Sequence, residues 1–216
     1  GSAGYIYLTG WLPFLNYMKS TPYYLFSNYT LSVIPLFILM GAFAEHSGLS
    51  TDLFRVASQA IGRRRGGLAM AVIGACTAFG AICGSSVATT ATFSRAALPE
   101  LKRYNYDPGF ATASIAVGGT LGILIPPSVI LVVYAITTEQ NIVKLFQAAL
   151  IPGLLAAISY CLVIALMVRR NPALGPPAAK PAAGEGRNAT VAVWLAILIA
   201  VIVVGGIYGG IFTPTE

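Results

Sequence analysis

Two short stretches of the 216-residue sequence combine backbone-freeing residues with side-chain oxygens. The first is Gly84-Ser85-Ser86, with Thr89 one helical turn further on. The second is Gly118-Gly119-Thr120 with Gly122, followed closely by the pair Pro126-Pro127. Glycine relieves the backbone, and proline lacks an amide and clashes with the preceding turn, so each stretch is a place where a helix can break. A break frees carbonyls, and serine or threonine hydroxyls beside it add neutral oxygens. Such donors suit a dehydrated cation, and sodium accepts neutral oxygens; the N-termini of the half-helices would face an anionic group. Gly84, Ser85, Ser86, Thr89, Gly118, Gly119, Thr120 and Gly122 are therefore the candidate sodium donors. Ser85, Ser86, Pro126 and Pro127 are the candidate contacts of an anionic ligand. The same small residues also serve plain close packing of helices, and that reading stands beside the first.

The elements that must position these residues follow from composition. Charged residues make up 9% of the chain, 13 basic and 7 acidic, whereas 56% are hydrophobic; an average soluble domain is about a quarter charged. Uncharged runs cover 20–44, 66–94, 108–138, 145–168 and 188–215, each long enough for a bilayer crossing of about 20 apolar residues. The expectation is an all-α, polytopic membrane protein in contact with membrane lipid. The net charge of +6 is then a topology signal, and no nucleic-acid partner is expected. Cys76, Cys83 and Cys161 sit within apolar runs without metal-ligand spacing and read as buried small hydrophobes.

Residues 1–49 divide into an aromatic, interfacial opening and a transmembrane helix over Leu31 to Glu45. Residues 50–65 form an amphipathic cytoplasmic arm: Leu53, Phe54, Ala57 and Ile61 share one face of a short helix suited to lying on the membrane, and Arg63 to Arg65 follow. A straight helix through Gly66 to Leu98 would be about 50 Å long, against a hydrocarbon core of about 30 Å, so the run must break at Gly84-Ser85-Ser86. Either a kinked crossing or a re-entrant hairpin over 66–100 would result.

Basic residues decide between them. A hairpin gathers Arg55, Arg63 to Arg65, Arg95, Lys102, Arg103, Arg169, Arg170, Lys180 and Arg187 on one side and leaves Lys19 and Lys144 on the other. A single crossing divides them far more evenly, which the positive-inside rule disfavours. The hairpin is expected to open to the cytoplasm. Next come a broken transmembrane helix at 108–137, unwound around its glycines and prolines, and then residues 141–170. These last read as a short amphipathic piece, Ile142 to Leu150, with a spanning helix after Pro152. Residues 171–189 are a flexible Pro/Gly/Ala cytoplasmic linker, and 190–216 a further apolar helix. The chain opens on Gly, shows no signal-peptide pattern and stops straight after an apolar run, so it reads as part of a longer membrane protein.

Two other residues invite chemistry. His46 stands at a helix end beside Glu45 and reads as a capping residue; Arg95, in the return arm of the hairpin, reads as facing the cytoplasm. An intramembrane serine protease would need a base within reach of Ser85 or Ser86, and the sequence offers only His46. A purely structural membrane subunit would need no broken helix. A transporter accounts for both breaks, and no enzyme activity is expected.

The stretches IPLFILMGAFAEHSGLSTDLFRVASQAIGRRRGGLA, GSSVATTATFSRAALPEL, GGTLGILIPPSVILVVYAI, LFQAALIPGLLAA and GGIYGGIFTPTE resemble the large membrane subunit of tripartite ATP-independent periplasmic (TRAP) transporters, the DctM type. GTLGILIPPS and YGGIFTPTE are the specific parts. The resemblance implies a multi-pass permease of the bacterial inner membrane, built from two inverted repeats. It would import organic acids such as dicarboxylates or sialic acid by an elevator-like motion with sodium as the coupling ion and no cofactor. It further implies a small membrane subunit and a periplasmic substrate-binding protein as partners. On this resemblance GSSVAT is the tip of the first, cytoplasm-facing hairpin and GGTLGILIPPS the unwound helix that follows. The chain then corresponds to most of the first repeat plus the opening helix of the second.

Overall fold

The computed structural model describes residues 2–27 and 33–178, with scattered positions between Trp194 and Gly209. The described residues form helices, turns and loops with no strand, as the composition implies. Most of the expected helix over 190–216, and the second part of the linker, 179–189, lie outside the described residues.

Two aromatic helices open the chain, α1 (Ser2–Thr9) and α2 (Trp11–Ser27), joined by ring contacts of Tyr5 with Phe14 and Tyr17. α3 (Val33–His46) leads through Gly48 into α4 (Leu49–Ile61). The apolar face of α4 is covered by protein rather than left free for lipid: Leu53 and Phe54 are buried in the core that surrounds α5.

α5 (Gly67–Cys83) is apolar all round and buried on nearly every face, as expected of a helix enclosed by others. It stops at Gly84, turns at Ser85, and returns as α6 (Ser86–Ala96), then α7 (Leu98–Arg103). Phe79 and Phe93 close the two arms edge to face, centroids 5.7 Å apart, and both are fully buried; removing each ring from water stabilises the pair by about 1.5–3 kcal/mol. The two feet of this helical hairpin share one end of the bundle, because the Leu68 amide donates to the Tyr106 hydroxyl at 3.2 Å.

α8 (Pro108–Leu124) starts where Asp107 accepts the Phe110 amide at 2.8 Å. It packs against both hairpin arms and ends at Ile125. After an extended segment, α9 (Val129–Thr137) resumes at a bend of 44°. By length and composition this bent pair can cross a membrane as one broken span, and α10 (Ile142–Arg170) can do so alone.

Three expectations need correction. The unwound stretch does not include the glycines: Gly118, Gly119 and Gly122 are helical, and the break occupies 125–128. Residues 142–170 form one helix of 29 residues through Pro152, not two elements. A proline removes one amide, and the apolar turns on either side, with Gly153 set against Leu124 and Ile125, hold the helix together. The first part of the linker is docked: the Gly175 carbonyl accepts the Gly66 amide at 2.9 Å, the Leu174 carbonyl accepts the Asp107 amide at 3.2 Å, and the Ala178 amide donates to the Gly62 carbonyl at 3.0 Å.

Candidate functional site

The hairpin tip and the helix break meet. Gly84 caps α5 with φ +63°, a left-handed conformation that glycine adopts without strain. A Cβ there would stand 2.6 Å from the Pro127 carbonyl oxygen, so close approach also demands glycine. The Gly84 carbonyl accepts the Val129 amide at 3.3 Å, joining the tip to the start of α9. Ser85 is extended and caps α6: its hydroxyl accepts the Ala88 amide at 3.4 Å, and its carbonyl accepts both the amide and the hydroxyl of Thr89, at 3.1 and 2.7 Å. Ser86 is half-buried, and among the described residues its hydroxyl has no partner.

The prolines act on the acceptor side. In a continuous helix the carbonyls of Gly122 and Ile123 would accept the amides of residues 126 and 127, but both are proline and have none. The C-terminal, partly negative end of α8 therefore comes to the break with free carbonyls, and the N-termini of α6 and α9 meet it there. Ser128 follows the proline pair. It is fully buried, and its hydroxyl has no hydrogen-bond partner among the described residues. A buried orphan hydroxyl costs about 1–3 kcal/mol unless something pairs with it. Ser128 is not among the sequence-derived candidates, although a serine directly after Pro-Pro and before an apolar run is a helix-start signal.

Other sequence-derived candidates divide by face. The glycines of α8 are close-packing points: a Cβ on Gly122 would stand 2.7 Å from the Thr89 hydroxyl, one on Gly118 would stand 3.1 Å from Cys76 Sγ, and one on Gly119 would collide with Thr90. Thr89 is buried against Gly122 and its hydroxyl is spent on Ser85. Thr120 points elsewhere; its hydroxyl donates to the Val117 carbonyl at 2.6 Å and lies 3.4 Å from the Tyr160 hydroxyl of α10. Pro126 and Pro127, joined by a cis bond, are buried at the break. The structure thus brings together Gly84, Ser85, Ser86, Gly122, Pro127 and Ser128, and turns Thr120 away from them.

A cavity of about 350 Å³ adjoins the tip, walled by α3 through Gly41 and Glu45, by residues 83–88, and by Ile123, Val129 and Ile130. Its charged group is Glu45, which holds the Arg95 guanidinium of α6 at 2.5 Å. This pair spans fifty residues of sequence, so no spacing rule could announce it. His46 turns its Nδ1 to the Ala42 carbonyl of its own helix at 2.8 Å, in keeping with a helix-end role. Among the described residues no three His, Cys, Asp or Glu side chains converge. The donor set at the tip is one of hydroxyls and carbonyls, which fits a hard monovalent cation better than a thiophilic metal.

Comparison with known proteins places the sequence among membrane transport components. Residues 2–216 match the model of the family described as "Tripartite ATP-independent periplasmic transporter, DctM component". The C4-dicarboxylate TRAP transporter large permease protein DctM of Pseudomonas aeruginosa is 43% identical over 142 residues, covering 66% of this chain and 33% of that protein. Its namesake from Vibrio cholerae is 40% identical over 194 residues, covering 88% and 41%. The isethionate TRAP transporter permease protein DctMQ of Oleidesulfovibrio alaskensis is 35% identical over 154 residues, covering 71% and 24%. The matched segments thus cover between 24% and 41% of the length of these relatives. A family match over nearly the whole chain, with relatives 40–43% identical, leads to one conclusion: this chain belongs to the DctM family, the large permease components of TRAP transporters.

Proposed function

We propose that this chain supplies the hairpin and broken-helix half of a sodium-coupled site in a multi-pass permease of the bacterial inner membrane, which imports an organic acid. The observation that carries the reading is the meeting of Gly84 with Val129 beside the buried, unpaired Ser128 hydroxyl. Ligands for a dehydrated sodium ion would come from Ser85 and Ser86 on the tip, Ser128 on the break, and the carbonyls of Gly122 and Ile123. The N-termini of α6 and α9 suit a substrate carboxylate. Both hairpin feet share an end with exposed Arg63 to Arg65, Arg169 and Arg170, which supports a re-entrant hairpin opening to the cytoplasm by the positive-inside rule. Glycine-mediated packing of α5 and α6 on α8 supports movement of these elements as one elevator-like body.

The substrate class follows the relatives, two named for C4-dicarboxylates and one for isethionate. Dicarboxylates are the first class to assay, with sialic acid and other organic acids after them. The tripartite family name supports a small membrane subunit and a periplasmic binding protein as partners. The test uses the full-length protein with both partners in proteoliposomes. Ser86→Ala or Ser128→Ala should raise the sodium concentration for half-maximal uptake about tenfold, the loss of one contact to a charged group, with membrane insertion unchanged. An unaltered sodium dependence in Ser85→Ala, Ser86→Ala and Ser128→Ala alike would remove the hydroxyls from the site.

A further inference from the structure

The cavity beside the hairpin tip carries its charge on one wall. Among the described residues its lining includes one charged side chain, Glu45, and no lysine, arginine or histidine. Glu45 sits in the last turn of α3, where a carboxylate opposes the partly negative end of the helix, so α3 itself gains nothing from it. The facing wall is the start of α6, Ser85 to Ala88. Ser85 takes the Ala88 amide; the amides of Ser86 and Val87 are among those that a helix start leaves over, and the Ser86 hydroxyl has no partner among the described residues. A negative pole and a partly positive one thus face each other across the cavity.

Arg95 does not cancel the negative pole. It holds one oxygen of the carboxylate, Oε1, at 2.5 Å, yet it is absent from the cavity lining, and its side chain is 74% exposed against 24% for Glu45. A guanidinium in water is screened, so it offsets only part of the carboxylate's field inside the cavity. The second oxygen, Oε2, has no hydrogen-bond partner among the described residues. A sphere of the cavity's volume, about 350 Å³, is about 9 Å across, which admits a chain of about four carbons with a hydrogen bond at each end.

We propose that Glu45 determines specificity: it selects organic acids that carry a compensating positive group, their carboxylate at the start of α6 and their ammonium or amidinium at Glu45, over dianions of the same size. This rests on the reading above that an organic acid binds at the tip, and it narrows the class of acid. A dicarboxylate would set its second carboxylate against Glu45 with no cation in the lining to receive it. A simple cation would leave the start of α6 unused. Arg95 is a positioning residue, which holds Glu45 in place and moderates its charge.

Succinate and γ-aminobutyrate have the same chain length and differ at one end, carboxylate against ammonium. Equilibrium binding of each radiolabelled acid to the full-length protein with its small membrane subunit, in sodium, gives a ratio of affinities from which a general loss of folded protein cancels. Two unit charges about 6 Å apart in a water-like dielectric alter affinity about threefold. Exchanging repulsion for attraction should therefore favour γ-aminobutyrate about tenfold. Glu45→Gln should abolish that preference. Arg95→Gln, which leaves the carboxylate unpaired, should raise it above wild type, and this variant decides the matter if Glu45→Gln fails to fold. A wild type that binds succinate as tightly as γ-aminobutyrate or binds neither acid, or a ratio that neither substitution moves, would overturn the proposal. If sodium-driven uptake of an organic acid persists in proteoliposomes beside such a result, the selectivity of Glu45 alone is refuted; if the wild type takes up no organic acid either, the proposed function falls with it.

Discussion

Gly122 and Gly74 are both interior helical glycines, and the structure predicts opposite consequences of replacing them with alanine. A Cβ on Gly122 would stand 2.7 Å from the Thr89 hydroxyl and 2.8 Å from the Ser85 carbonyl oxygen, whereas a Cβ on Gly74 would meet nothing within 4 Å. The Gly122 neighbours cannot simply rotate away, because the Thr89 hydroxyl is held by the Ser85 carbonyl at 2.7 Å. Relief requires the hairpin tip to retreat by about half an ångström, and overpacking of this kind costs about 1–3 kcal/mol. Gly74→Ala should instead gain up to about 1 kcal/mol from helix propensity. The two variants should therefore differ by about 1–4 kcal/mol. Thermal melts of the purified full-length protein, followed by size-exclusion chromatography, read this as a clearly lower midpoint for Gly122→Ala and an equal or higher one for Gly74→Ala. If Gly122→Ala melted with or above Gly74→Ala, the hairpin would not be seated on α8 as described.

Glu45→Gln unlinks Arg95 from α3; because the Arg95 side chain is 74% exposed, the pair should contribute no more than about 1 kcal/mol, and a double-mutant cycle showing greater coupling would contradict that exposure. Cysteines at Arg63 and Lys102, in a background free of Cys76, Cys83 and Cys161, should both react with a membrane-impermeant maleimide from the same side of the membrane. Labelling from opposite sides would rule out a hairpin.

Much of this was legible because the signals were local. A glycine between two apolar runs marked the tip, paired prolines marked a break, and three- and four-residue steps marked the buried face of α4. What escaped depended on surfaces that the chain brings together only on folding. Gly118, Gly119 and Gly122 read as unwinding signals, yet whether glycine loosens a helix or lets another approach depends on what lies against it. Here the neighbours are the arms and tip of a hairpin some thirty to forty-five residues earlier. Pro152 reads as a helix boundary, but apolar turns on both sides carry the helix through it. Ser128 and the Glu45–Arg95 pair were invisible for the same reason: one is defined by the lack of a partner, the other by a partner far away in sequence.

The docked segment 171–178 has a consequence for how the protein is made. Its hydrogen bonds reach back to Gly62, Gly66 and Asp107, residues that leave the ribosome long before Gly175 does. The hairpin is therefore synthesised before these bonds can form, its feet joined until then by the Leu68–Tyr106 bond and by side-chain packing. It is fastened only after α10 has been made and threaded beside it. Insertion and locking become separate events in time, and the lock sits at the end of the bundle opposite the tip. The seat of the hairpin on α8 and its fastening at the feet are thus made by stretches of chain that appear at different times.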